Sequence, residues 1–414
     1  MTRRHHTLIA TFVVSAIGLP ALAAPPETTS RKKRPGRYKL GPIYLTPKLE
    51  LKNAGVDTNL FNARAGAIAD NSMVLSPGLS GALPIGQRLR LTGSGHLDFN
   101  YFRHVSSERS TDFAGEGRAE VDVGPFTLFG GAGGGQFRQR FSIDLDERLL
   151  RQEKWAATGF TYRMTNKFST TLEGTGRIYS FEPSQDSGRS VQRALDRNEL
   201  TGTAQLRFAL TSQTTLLLSV DAIEDRFLKQ TIEPRTTRSY RYLGGFEFGE
   251  RALVNGKVLA GFREFPSGQG SPAYRGPAIA VSVSTPLLRL GRLTGFAERD
   301  VFYSVSSAVV VNEVLRNSFA STSFRFEASV ELPFDLIGRG SFGLQEAKYI
   351  LPFQFRNTAF QRVDHLWTTG GSILRRFGDS VRIGGTLSWS RRVSNAPGFS
   401  YEGFRYGVQA EVVP

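Results

Sequence analysis

His104-Val105-Ser106 sets an imidazole and a hydroxyl on the same side of an extended segment, the pairing that a serine esterase built into a strand would use as base and nucleophile. No oxyanion-hole signature accompanies it, and the segment enters a Ser-rich stretch, so an exposed strand-end histidine is the reading taken and no catalytic residue is expected. His96 and His365 are too far apart to form a ligand set, and no H-x-H or His/acid spacing occurs, so no metal site is expected. Asp57-Thr58-Asn59, with Asn53, Asn62, Asp70 and Asn71, offers oxygens to a calcium ion. The spacing matches no dedicated calcium loop, and ordinary loop polarity explains it. The chain has 0 cysteines, which removes thiolate metal sites, iron–sulfur clusters and cysteine nucleophiles. No cofactor is expected.

The remaining chemistry lies in a charged series that alternates with apolar residues. Leu200, Gly202, Ala204, Leu206 and Phe208 interleave with Thr201, Thr203, Gln205 and Arg207. Phe324, Phe326, Ala328, Val330 and Leu332 interleave with Arg325, Glu327, Ser329 and Glu331. Period-2 alternation makes a sheet with one greasy and one wet face. A wet face carrying Arg118, Arg177, Arg207, Arg263, Arg325 and Arg382 with Glu116, Glu120, Glu173, Glu247, Glu327 and Glu331 can brace a wall by cross-strand pairs. It can equally line a channel and orient a polar solute.

A soluble sandwich would produce the same alternation, so the connections must decide. Tight turns at Gly124-Pro125, Thr165-Asn166-Lys167, Thr211-Ser212-Gln213 and Gly378-Asp379-Ser380 take turns with polar stretches over 54–71, 139–150, 182–194 and 304–317. Short turns at one end and long loops at the other are the mark of a transmembrane barrel, with short periplasmic turns and long extracellular loops. The fold expected is all-β: a single antiparallel up-and-down barrel of about 18 strands, or about 16 if 276–303 is miscounted. An arginine on the lipid face near the midplane costs about 2–4 kcal/mol, which requires the charged series to face the lumen. Tyr and Phe near segment ends, as at Tyr101 and Phe102 or Tyr240 and Tyr242, suit the two membrane interfaces. The run of Gly130, Gly131, Gly133, Gly134 and Gly135 reads as bends or close packing in the wall.

Arg3-Arg4 followed by an apolar Leu8 to Leu19 and then Ala21-Leu22-Ala23 reads as a secretory signal peptide over 1–23, cleaved before Ala24. A basic periplasmic lead-in, expected to be disordered, fills 24–40, and the barrel fills 41–414. The formal net charge of +15 resembles a nucleic-acid footprint until it is located. Arg3 and Arg4 fall in the signal peptide and Arg31, Lys32, Lys33, Arg34, Arg37 and Lys39 in the lead-in, so the barrel itself is only modestly cationic. No nucleic-acid partner is expected.

The segment Pro47-Lys48-Leu49-Glu50-Leu51-Lys52-Asn53-Ala54-Gly55-Val56-Asp57-Thr58-Asn59-Leu60-Phe61 resembles the opening strand and first loop of the β-barrel porin 2 family, with Asp57, Asn59 and Phe61 fitting its pattern. The resemblance implies a Gram-negative outer-membrane barrel, in some members linked with exopolysaccharide production and export. The expectation is thus a non-enzymatic, porin-like route for polar solutes, saccharides or an exopolysaccharide-related substrate among them. The alternative is a structural component of a polysaccharide export system with a plugged lumen. Partners expected are outer-membrane lipids, the barrel-assembly machinery, and polysaccharide or export-system components.

Overall fold

A computed structural model describes residues 38–144, 146–183, 185–186, 189–228, 236–266, 273–287, 290–304, 318–355 and 358–412. The expected signal peptide and most of the lead-in, 1–37, lie outside the described residues. The alternating segments form one closed antiparallel barrel of 18 strands. In chain order these are β1 Ile43–Asp57, β2 Asp70–Ile85, β3 Leu89–Phe102, β4 Ser110–Val123, β5 Phe126–Gln139, β6 Leu149–Arg163, β7 Phe168–Phe181, β8 Arg197–Ala209 and β9 Thr214–Phe227. The second half comprises β10 Thr236–Phe248, β11 Asn255–Phe265, β12 Tyr274–Leu287, β13 Gly291–Tyr303, β14 Ser318–Leu332, β15 Leu336–Tyr349, β16 Val363–Phe377, β17 Val381–Ser394 and β18 Tyr401–Val412.

Closure rests on β1, which pairs with β2 on one side and with β18 on the other, so that Glu50 faces Ser76 and Glu411 in turn. Each of the 18 barrel strands is paired on both sides among the described residues, the condition for a sheet to cross a bilayer. Every turn after an even-numbered strand is short, down to Gly124-Pro125 between β4 and β5, and the barrel's first and last residues lie at that same end. The longer connections, including 58–69, 140–148 and 182–196, all lie at the opposite end. Leu200, Leu218, Phe326, Ile373, Leu387 and Tyr406 are exposed along the outside, where acyl chains cover them.

Two local features depart from a regular wall. The first strand extends to Asp57 by means of a bulge near Asn53, whose φ is 48°. Tyr38–Leu40, expected inside a disordered lead-in, instead folds back antiparallel on the start of β1, with Leu40 opposite Ile43. The second feature is a sharp bend at β11, where the backbones of the flanking strands β10 and β12 come within 8 Å of each other. Glycine makes the bend possible: a Cβ at Gly261 would lie 1.8 Å from the Tyr242 carbonyl oxygen, and one at Gly245 would lie 2.0 Å from that of Val258. Inside the bend, Leu217, Leu243, Leu259 and Ala278 pack into a buried cluster.

Candidate functional site

The inner wall is identified by ion pairs that skip strands. On the concave face of a closed sheet, side chains of second and third neighbours converge, whereas on the convex face they diverge. Lys52 of β1 reaches Asp98 of β3 at 3.1 Å, Arg207 of β8 reaches Glu247 of β10 at 3.4 Å, and Arg241 of β10 reaches Asp300 of β13 at 3.0 Å. These residues therefore line the lumen, and strand parity places all twelve residues picked from the sequence on the same face.

Three pairs among the twelve meet each other: Arg118 with Glu120 at 2.9 Å, Arg207 with Glu247, and Arg325 with Glu327 at 3.2 Å. The others meet partners that the alternation did not single out. Arg177 lies between Glu153 and Glu199, Arg263 binds Asp300 at 2.6 Å, Arg382 binds Glu411 at 3.1 Å, and Glu331 binds Arg376 at 3.0 Å. Glu116 accepts from the Ser94 hydroxyl and Glu173 from that of Thr175. The wall is thus polar, of mixed sign, and largely paired with itself, which restrains long side chains that would otherwise wander across the opening.

The long-loop end is crossed by the β5–β6 connection, 140–148. Strands β14 and β15 stand diametrically across the ring from β5 and β6, yet Asp144 in this loop accepts from Tyr349 Oη of β15 at 2.6 Å and from Ser304 Oγ beyond β13 at 2.6 Å. It also meets Arg362 Nη1 at 3.4 Å. The Arg362 side chain is 0% exposed, bonded to Asp364 and centred 3.6 Å from the Phe399 ring. Burial alone would lower the pKa of that guanidinium, but Tyr349, Asp364 and Asp144 outweigh it and hold Arg362 above its ordinary value. Arg392 of β17 donates to the Ile143 carbonyl and to Asp146, adding a second tie to the far wall.

Apolar packing reinforces the crossing. Ile143 joins Phe319, Ala347, Tyr349, Leu366 and Tyr401 in one buried cluster, and Phe141 joins Leu149, Tyr179, Phe181, Val191 and Leu195 in another. Val191 and Leu195 come from a single helical turn, Val191–Leu195, in the β7–β8 connection. At the root of the crossing loop, Arg148 is held by Glu108, and burial lowers its pKa to about 10 against the pull of that carboxylate. Loop polarity gave no hint of this path. The signal that could have shown it is Phe141, Ile143 and Leu145, three large apolar residues alternating through an otherwise polar connection, of which Phe141 and Ile143 are buried.

The Asp57-Thr58-Asn59 segment, weighed above for calcium, is a clasp between the first and last strands. Asp57 accepts from Arg405 Nη2 at 2.6 Å and from the Asn59 backbone at 3.0 Å, Thr58 N donates to the Phe404 carbonyl, and Asn59 Nδ2 donates to the carbonyls of Ala63 and Glu402. Asp70 is also committed: it accepts from the backbones of Asn71, His104 and Val105 and contacts His104 Nδ1 at 3.0 Å. Ser106 sits in a short 3-10 turn, and its backbone N–H donates to the His104 carbonyl. The pair weighed for catalysis is therefore part of a loop anchor.

No protein-family model matches the chain, and no curated protein sequence matches it. Among solved structures, the siderophore receptor PirA from Pseudomonas aeruginosa is similar at 10% identity and a TM-score of 0.46, over 92% of this chain and 81% of that chain. The copper transporter OprC is similar at 10% identity and a TM-score of 0.47, over 91% and 66%. A bacterial polysaccharide outer membrane secretin is similar at 9% identity and a TM-score of 0.33, over 89% and 98%. The closed barrel, its apolar exterior and its two unlike ends are those of a Gram-negative outer-membrane protein.

Proposed function

We propose that the chain is a porin-like route for polar solutes, saccharides or an exopolysaccharide-related substrate among them, with passage limited at the extracellular end by the crossing loop 140–148. The observation that supports this most is the polar, self-paired lumen wall: barrels of about 16–18 strands enclose an aqueous channel unless something fills them. Mixed charge on that wall suits uncharged hydroxylated solutes better than a single ion type. The resemblance of Pro47 to Phe61 to the β-barrel porin 2 family agrees with this reading. Outer-membrane lipids, the assembly machinery and saccharide or export components are the partners it entails.

A second reading has its own support. The two apolar clusters and the buried Arg362 fasten the loop as firmly as a structural plug would require, consistent with a component of a polysaccharide export system. Liposome swelling with neutral sugars of graded size separates the two. Passage predicts swelling with monosaccharides that declines as the sugar lengthens. No swelling with any sugar, from a barrel that migrates as folded until boiled, would favour the plug.

A further inference from the structure

We propose that Trp155 on β6 is a stacking platform, inside the lumen, for the pyranose ring of a neutral saccharide; this rests on the passage reading and names the part of the wall that would contact the solute. Of the 3 tryptophans, Trp367 and Trp389 lie on the outer face, the first beside Phe342 and the second bonded to Glu402. Trp155 lies opposite Gly133 and Arg177 in register and faces inward with the latter. Inward positions 131 and 133 of β5 carry no side chain, and the indole occupies that bare strip. A Cβ at Gly131 would stand 3.6 Å from its Cη2 and Cζ3, and one at Gly133 would stand 2.9 Å from its Nε1. The ring therefore lies along the wall, backed by main chain, with the rest of its half-buried surface turned to the lumen.

Its surroundings are those of a sugar site. The electron-rich face of an indole attracts the weakly positive C–H face of a pyranose, while planar charged groups at its edge hydrogen-bond the equatorial hydroxyls. Glu116, exposed to the lumen, has its Cβ 2.9 Å from the position a Gly133 side chain would take, next to the indole nitrogen. Arg118, two residues on, presents a guanidinium over the Phe129 ring at 4.5 Å and donates through Nε to Glu120. Among the described residues, the Trp155 Nε1–H donates to no protein acceptor and is free to bond a hydroxyl. Acid and base alternate around the ring, which favours a neutral polyhydroxylated ligand over an ion.

The test uses the full-length barrel with Trp367→Phe and Trp389→Phe, leaving Trp155 as the sole indole, in detergent micelles titrated with maltohexaose. A saturable change in emission, with protection from acrylamide quenching, is the expected result. Glu116→Gln and Arg118→Met should each weaken the apparent affinity by about tenfold, the loss of one charged hydrogen bond, with the folded barrel's heat-modifiable gel mobility unchanged. No emission change at any sugar concentration, or an equal change with tetramethylammonium, would overturn the platform. Binding without passage would remove the transport reading alone, and passage without a Trp155 response would remove the platform alone.

Discussion

Arg362, at the end of the β15–β16 connection, shows how a charge can be buried at the long-loop end of the barrel. Its guanidinium meets Asp144 and Asp364 and lies against the Phe399 and Tyr349 rings, so nothing about it is left to solvent. Removing one partner of such a set strands the others: Arg362→Leu should cost about 3–5 kcal/mol. The midpoint of urea unfolding in lipid vesicles measures this, and an unmoved midpoint would contradict the latch. Asp57 makes the same argument for barrel closure. Asp57→Ala leaves the Arg405 guanidinium and the Asn59 N–H without their acceptor, a loss of about 1–3 kcal/mol. It should lower the temperature at which the barrel loses its compact gel mobility. The motif was legible in the sequence as a polar cluster, but not as a clasp, because Arg405 and Glu402 stand at the far end of the chain.

At the scale of elements, the alternating segments around Leu200 to Phe208 and Phe324 to Leu332 are strands, because lipid on one side and water on the other favour that pattern. Long-range approach is what alternation cannot report. The bend at β11 is carried by glycines whose neighbours are set by register, and the crossing of 140–148 depends on Tyr349, Arg362 and Arg392, between 205 and 249 residues away along the chain. The bend yields a paired prediction. Gly261→Val meets the Tyr242 carbonyl and should destabilise by about 1–3 kcal/mol, as overpacking does. Gly202→Val, with nothing within 4 Å of its Cβ, should be neutral or stabilising in the lipid-facing wall. Refolding titrations of the two variants side by side check it, and equal losses would mean that the bend is not set by glycine.

As a whole molecule, the barrel joins a self-paired polar lumen to an extracellular end crossed by the loop 140–148, which is tied to the opposite wall. The closed barrel was readable from the residues alone, because alternation and the lengths of the connections report it, and strand register puts the twelve charged residues on one face. The lid was not, because its path follows from contacts between the two halves of the chain. Single-channel conductance in planar bilayers tests the account most directly, comparing the native barrel with one in which 141–147 are replaced by a short Gly-Ser link. A lumen narrowed by the crossing loop gives a small, stable conductance in the native chain and a severalfold larger one when that loop is gone. Equal currents from two folded barrels, or none from either, would contradict it.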